Sequence, residues 1–347
     1  MLRHSPIRLL AMPSAVALFV LFLLPCCAMN KRTVTTTGPA PDSASAAGSP
    51  HAKAELPKEI EVSLRLSPGD EWKSRFVSTS EAKRTLTGAD GKESVKSRTV
   101  GIELTSTQKV VDVTGSVARV EVTETETRVL QDGKFVPAPY KQFNPPNPVS
   151  FTIDTATGKA DFSALRQAYE KWMADVREGP AGDIIGKTFR LPAYLAVIED
   201  TYGKPFTRVS GRTLSAVETS AGKDVILPFL GPGAVLSPVP VEGVMRYTAF
   251  ETKGRKHMLN VSGLYTGQPD LSSADELAVR LSDFGQTAPK AFTGSGSASG
   301  RFRSSVDILS GREERATGQL SYTATWVFDG ATLTEEVAGK SILEPVE

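Results

Sequence analysis

The sequence predicts a mainly β fold: a large curved antiparallel sheet, or two related sheets, with two packed helices. Three observations carry this. Apolar and polar residues alternate with period two from Glu59 onward, Asp-Gly dipeptides punctuate the alternating runs, and helical spacing is confined to two segments.

The first alternating run pairs Ile60, Val62, Leu64 and Leu66 with Glu59, Glu61, Ser63 and Arg65, which gives a strand one dry face and one wet face. Val100, Ile102 and Leu104 repeat the pattern. Near the C-terminus Leu320, Tyr322, Ala324, Trp326 and Phe328 alternate with Ser321, Thr323 and Thr325. The dipeptides Asp90-Gly91, Asp132-Gly133 and Asp329-Gly330 mark hairpins, because both residue types tolerate the positive φ of tight turns. A longer pattern of apolar, acid, three residues, Gly and base recurs at Ile153–Lys159, Val217–Lys223 and Val306–Arg312. Each copy reads as a strand end and a Gly-closed turn, the acid accepting bonds from turn amides. The recurrence suggests a duplicated β-unit.

Two segments change to helical spacing. In Ser163–Arg177 the apolar stripe is Leu165, Tyr169, Trp172, Met173 and Val176. In Ser273–Phe284 the start Ser273-x-x-Glu276 is a capping box, and Leu277, Leu281 and Phe284 form the stripe. One-striped helices must lie on something apolar, here a sheet face. Hairpins with only two helices exclude a doubly wound α/β fold. The Pro-rich stretch 137–148 is the best internal boundary if the body, residues 58–347, divides into two halves.

The N-terminus is a separate matter. Arg3 and Arg8 precede an apolar run from Leu9 to Leu24, a basic start and a short apolar core of the secretory kind. The run is short for a membrane span of ~20 residues, and no comparable run follows. It ends in Leu24-Pro25-Cys26-Cys27. This segment resembles the signal of bacterial lipoproteins, with Leu at −3, a small residue at −1 and the acceptor Cys27. The chain departs from that pattern in having Cys26 at −1 and Pro25 at −2. The resemblance implies cleavage after residue 26, acylation of Cys27 and attachment to a membrane. Ala28, where the enterobacterial sorting pattern avoids Asp for export outward, implies the outer membrane, facing the periplasm or the cell surface. Residues 27–57 then form a flexible tether rich in Thr, Ser, Ala, Gly and Pro, with a reach of about 30 Å. The body also resembles uncharacterised all-β bacterial lipoproteins, and some lipoprotein carriers of lipids use a curved sheet closed by helices; this implies no active site.

Composition excludes several classes. Setting aside Arg3 and Arg8 leaves 38 basic against 39 acidic residues, so the body lacks the basic excess of a nucleic-acid binder. The two cysteines are adjacent and none follows, which removes disulfides, thiolate chemistry and Cys-based zinc sites from the body. No catalytic, cofactor or metal constellation is found, and none is expected. Gly182–Thr188 ends in Gly-Lys-Thr, but Ala181 stands where a phosphate loop needs its first glycine, and Pro192 discourages a following helix. Gly294–Gly300 reads as a flexible connector, and Glu121, Glu124 and Glu126 as a solvated strand face. His257 is expected packed on an apolar face with Leu259 and Val261; a catalytic role would need partners that cannot be named. Leu227–Val241 is an apolar Pro/Gly loop, either packed as coil or forming the lip of a cavity. The expected function is a membrane-anchored envelope lipoprotein with a non-enzymatic binding or structural role. The alternatives are a carrier holding a lipid or other apolar ligand under the helices and, less favoured, a hydrolase. The anchor makes the membrane a partner; an apolar ligand or envelope protein would be a further one, and the oligomeric state stays open.

Overall fold

The computed structural model describes residues 59–138, 144–178, 191–226, 239–253 and 256–346. The signal segment, Cys27, the tether, the Gly182–Thr188 segment and 227–238 of the apolar loop lie outside them. The body Ala54–Glu347 is one compact unit.

Strands β1 (Glu59–Val62), β2 (Glu71–Thr87), β3 (Glu93–Thr114), β4 (Val117–Gln131), β5 (Lys134–Pro137), β6 (Val149–Asp154) and β7 (Lys159–Asp161) come first. Helices α1 (Ser163–Glu178) and α2 (Leu191–Thr207) follow. Then come β8 (Arg212–Ser215), β9 (Thr219–Ile226), β10 (Val239–Lys253), β11 (Lys256–Gly267), α3 (Ala274–Ser282), β12 (Thr293–Asp307), β13 (Arg312–Phe328) and β14 (Ala331–Pro345).

One twelve-stranded antiparallel sheet holds all strands but two, in the order β7-β6-β4-β3-β2-β14-β13-β12-β11-β10-β9, with β5 added on β4. It does not close, because β7 and β9 pair with no common neighbour. The strands β1 and β8 make a separate ribbon. Each half of the chain runs as a meander, and the two meet where β2 pairs with β14, from Ser74 opposite Pro345 to Thr87 opposite Thr332. The first and last long strands therefore stand side by side at the centre. The stretch 137–148 links β5 to β6, both of which pair with β4.

Alternation decides the faces. Buried inner residues such as Tyr322, Ala324 and Trp326 alternate along β13 with the exposed Ser321, Thr323 and Val327. Two cores form on the inner face. One gathers Tyr322, Trp326, Leu333 and Val337 with Leu277 and Leu281 of α3. The other gathers Val120, Val122, Phe151 and Ile153 with Leu165, Tyr169, Trp172 and Met173 of α1 and Tyr202 and Phe206 of α2. The α1 stripe is the one its spacing predicted, and Ser273 caps α3, accepting a bond from the amide of Glu276 at 3.3 Å. No described helix is long and apolar enough to cross a membrane.

Four local readings change. A third helix, α2, follows directly where Pro192 argued against one. Proline is tolerated in a first helical turn, whose amides need no intrahelical acceptor, and Pro192 is the second residue of α2. Gly294–Gly300 is part of β12, paired residue for residue with Gly300↔Leu320 through Gly294↔Trp326. Its glycines make room for a covering segment: a Cβ on Gly294 would lie 2.5 Å from Leu271 Cβ, and one on Gly296 3.0 Å from Pro269. The two outer copies of the repeated turn are real and alike. Gly158 and Gly311 donate to the carbonyls of Asp154 and Asp307 at 2.7 Å, and the two carboxylates accept from the amides of Ala156 and Leu309. The middle copy is no turn: Gly222 lies inside β9, at a bulge opposite Gly243. The end of the apolar loop, Val239–Val241, is the start of β10, with Val239 and Val241 buried.

Candidate functional site

Between the two cores the inner face carries rows of small residues. In register across β2, β14, β13 and β12 lie Ser80, Gly339, Leu320 and Gly300, and beside them Ser78, Ser341, Gly318 and Phe302. Rows on one side carry the bulk of Tyr322, Trp326, Val337 and Leu333; on the other side stand Phe76 and Leu343. The small rows leave a trough of about 170 Å³ whose floor is Ser78, Ser80, Gly318, Gly339 and Ser341 and whose walls are Phe76, Phe302, Leu320, Leu343 and Tyr265.

The C-terminal half of α2 forms the roof with Asp200, Thr201, Lys204 and Pro205, joined by Arg208 just after the helix ends. Four contacts hold α2. Phe206 packs edge-on to Trp72 at 5.6 Å between ring centres. The Tyr202 hydroxyl donates to Glu124, and Gln108 donates to the Tyr202 carbonyl at 3.3 Å. Arg166 of α1 grips Glu199 with two bonds of 2.6 and 2.7 Å. Glu124 is therefore no solvated residue. A bulge at Thr125, where Ser106 pairs with Glu124 and Thr105 with Glu126, shifts the alternation and leaves Glu124 buried. The backbone of Glu124 exchanges two bonds of 2.9 Å with the Asn147 amide. Glu126 stays exposed and pairs with Arg128 at 2.6 Å; Glu121 is half-buried.

The trough has a charged end. Arg208 donates to Glu313 at 3.2–3.3 Å, and its guanidinium lies 4.8 Å over the Phe302 ring. Phe302 in turn stacks on Tyr265 at 5.8 Å. Phe302 reaches this position over Gly263, where a Cβ would meet its ring at 2.2 Å. Burial pushes the Glu313 carboxyl above the usual carboxylate range, against the pull of Arg208. The neighbouring Arg312 is fully inside the second core, 4.8 Å over Trp72 and 5.4 Å over Phe206, and burial draws it down to about 10. At the rim Lys204 pairs with Asp200 at 2.6 Å. A ligand could thus rest an apolar segment on the Ser/Gly floor and place a polar or charged end near Arg208 and Lys204.

The other sequence candidates are not brought to this trough. His257 sits on β11 opposite Thr252, one pair from the Lys253↔Lys256 end of the β10–β11 ladder, with its ring stacked on Phe250 at 5.8 Å; it shares a face with Leu259 and Val261 as its spacing predicted. Among the described residues no three His, Cys, Asp or Glu side chains are grouped to hold a metal. The trough residues left no sequence motif. Their signal is a run of Gly and Ser at inner positions of long strands, visible only when register is known.

No family model matches the chain, and no curated protein does. Among solved structures, one of lipovitellin titled for its lipid–protein interactions aligns over 82% of this chain at 10% identity with a TM-score of 0.38. The chain spans about a quarter of that protein's length, 26%. OpdL and OpdQ of Pseudomonas aeruginosa align over 80% of this chain and 99% and 98% of theirs, at 8% identity and a TM-score of 0.23. Likeness at this level transfers no function, and the chain's reading rests on its own residues.

Proposed function

We propose that the chain is a bacterial envelope lipoprotein, tethered to the membrane through Cys27, whose β-rich body binds a small amphiphilic group in the inner-face trough without chemical turnover. The observation that carries the binding role is the trough itself, small-floored, apolar-walled and closed at one end by the half-buried Arg208 paired with the buried Glu313. Its volume of about 170 Å³ falls below the ~300–1,000 Å³ of sites that enclose a drug-sized molecule. A whole lipid therefore does not disappear under the helices; one chain segment or side group enters, and the rest of the ligand stays outside. The two filled cores beneath α1 and α3 agree with this. The anchor rests on the N-terminal pattern of Arg3, Arg8, the apolar run and Leu24–Cys27.

Two measurements test the reading. Mass spectrometry of the mature protein should find an N-terminal peptide that begins at Cys27 and carries lipid mass; an unmodified N-terminus further downstream rejects the anchor. For the trough, Ser78→Phe places a ring on the floor. Fluorescence titration with cis-parinaric acid should show binding to the wild type and at least tenfold weaker binding to the variant, with an unchanged circular dichroism spectrum. Equal affinity in a folded variant sinks the trough as a binding site.

A further inference from the structure

The outer face of the sheet carries a second feature. On β10 and β12, Arg246, Arg301 and Arg303 point outward around a depression of about 390 Å³. In register Arg246 and Arg303 flank Ser262 of β11, so their backbones stand two strand spacings apart, about 10 Å. Arg301 and Arg303 are two positions apart on one strand, about 7 Å. Arg301 is aimed by a 2.6 Å bond from its Nε to Gln319. Leu264, opposite Arg301, is 54% exposed.

Like charges this close are unfavourable on a sheet unless something compensates them. Elsewhere the outer face supplies partners: Arg75 pairs with Glu103 and Glu344, Arg128 with Glu126, and Lys83 with Glu336. Among the described residues no carboxylate lies within ion-pair distance of Arg246, Arg301 or Arg303. Their in-register neighbours are the neutral Ser262, Leu264, Thr317 and Gln319, and Glu218 is the one carboxylate among the residues that line the depression. Three forked donors converging on one depression suit an oxyanion such as a phosphate, and the exposed Leu264 beside them suits the apolar part of the same molecule.

We infer that this depression binds the phosphate headgroup of an anionic phospholipid. Arg301, Phe302, Thr317 and Gln319 border both this depression and the trough, whereas Arg246 and Arg303 border the depression and not the trough. The test is calorimetric titration of the purified mature protein in neutral detergent with soluble dihexanoyl lipids. Dihexanoyl phosphatidylglycerol should bind at least tenfold more tightly than dihexanoyl phosphatidylcholine, and added salt should weaken it. The double variant Arg246→Glu, Arg303→Glu, at two positions that do not border the trough, should lose at least tenfold in affinity while its parinaric acid binding in the trough stays at the wild-type level. Equal binding of the two lipids, or unchanged affinity in the folded double variant, overturns the inference. Inorganic phosphate binding as tightly as the phosphatidylglycerol also overturns it, because the site then reads a free anion and not a lipid.

Discussion

At the scale of single residues, the informative groups are buried charges whose surroundings disagree with one another. Glu313 is 1% exposed and faces Arg208, yet burial outweighs the pairing and its carboxyl titrates higher than in the unfolded chain. The sign follows from linkage. The native state holds the proton more tightly, so this residue's contribution to stability is full at low pH and is lost as pH rises toward and through the folded value. Glu313→Gln keeps the shape and an acceptor for Arg208 but removes the titration. Urea denaturation should show the wild type gaining on the variant as pH falls from 7.5 to 5, and pH curves that run parallel would show that burial does not govern this carboxyl. Glu335 behaves oppositely: burial alone would raise it, but Arg280 and Arg84 hold it below the usual range. It is 0% exposed; it ties α3 to the sheet through Arg280 at 2.7 Å and is also paired with Arg84 of β2 at 2.6 Å. Breaking a buried ion pair costs ~3–5 kcal/mol. Arg280→Ala should lose about 3 kcal/mol in denaturant titration, and hydrogen exchange should show α3 opening first. A loss below about 1 kcal/mol would mean Arg84 alone compensates Glu335. None of these carboxylates was legible as buried from sequence, because charge patterns are local and a bulge such as that at Thr125 moves a residue between faces without any mark in composition.

At the scale of elements, the sequence spoke clearly wherever a single physical rule acted alone. Alternation located β3 and β13, one-striped spacing located α1 and α3, and Asp-Gly located the β4–β5 and β13–β14 turns, where Asp132, Gly133, Asp329 and Gly330 all have positive φ. It failed where two rules competed. The helix α2 buries Tyr194, Leu195, Ile198, Tyr202 and Phe206 and so presents more than a stripe, and its start carries Pro192. Glycine in 294–300 signalled a connector because its other use, clearance beneath Leu271, depends on a contact far from the backbone it frees. A repeated-turn glycine and a hairpin glycine show the two roles side by side. Gly311 and Gly330 both lie at φ near +70°, +72° and +74°. A Cβ at 330 would find its nearest atom at 3.5 Å, whereas one at 311 would strike the Ser63 carbonyl at 2.3 Å. Left-handed backbone alone costs an alanine ~1–2 kcal/mol. Gly330→Ala should stay within that range, and Gly311→Ala should exceed it in the same denaturation assay because the chain at Ser63–Leu64 must also move. Equal losses would show that the β1 segment yields freely at the β12–β13 turn.

At the scale of the whole molecule, the question is whether two cores make two folding units. They occupy opposite ends of one inner face, and the trough lies between them. The hydrogen-bonded ladder does not pause there. Fourteen residue pairs join β2 to β14 across the midline, from Thr332↔Thr87 to Pro345↔Ser74. Arg84 of β2, which belongs to the N-terminal meander, completes the charge network around Glu335 in the C-terminal one. The ribbon segment continues the link, since Val62 lies in one core and Leu64 and Leu66 in the other. Neither half can unfold without exposing the edge of a long central strand of its neighbour, a cost that couples them. The three tryptophans allow a direct measurement: Trp172 reports the core under α1, Trp326 the core under α3, and Trp72 stands on β2. Variants that keep only Trp172 or only Trp326, the others replaced by Phe, should show coincident urea transitions. The Phe replacements shift both curves by their own packing cost, so each variant is compared with its own circular dichroism transition. A tryptophan signal that departs from that transition in either variant would divide the body at the trough, and the binding cleft would then be a hinge between two domains instead of a gap in one sheet.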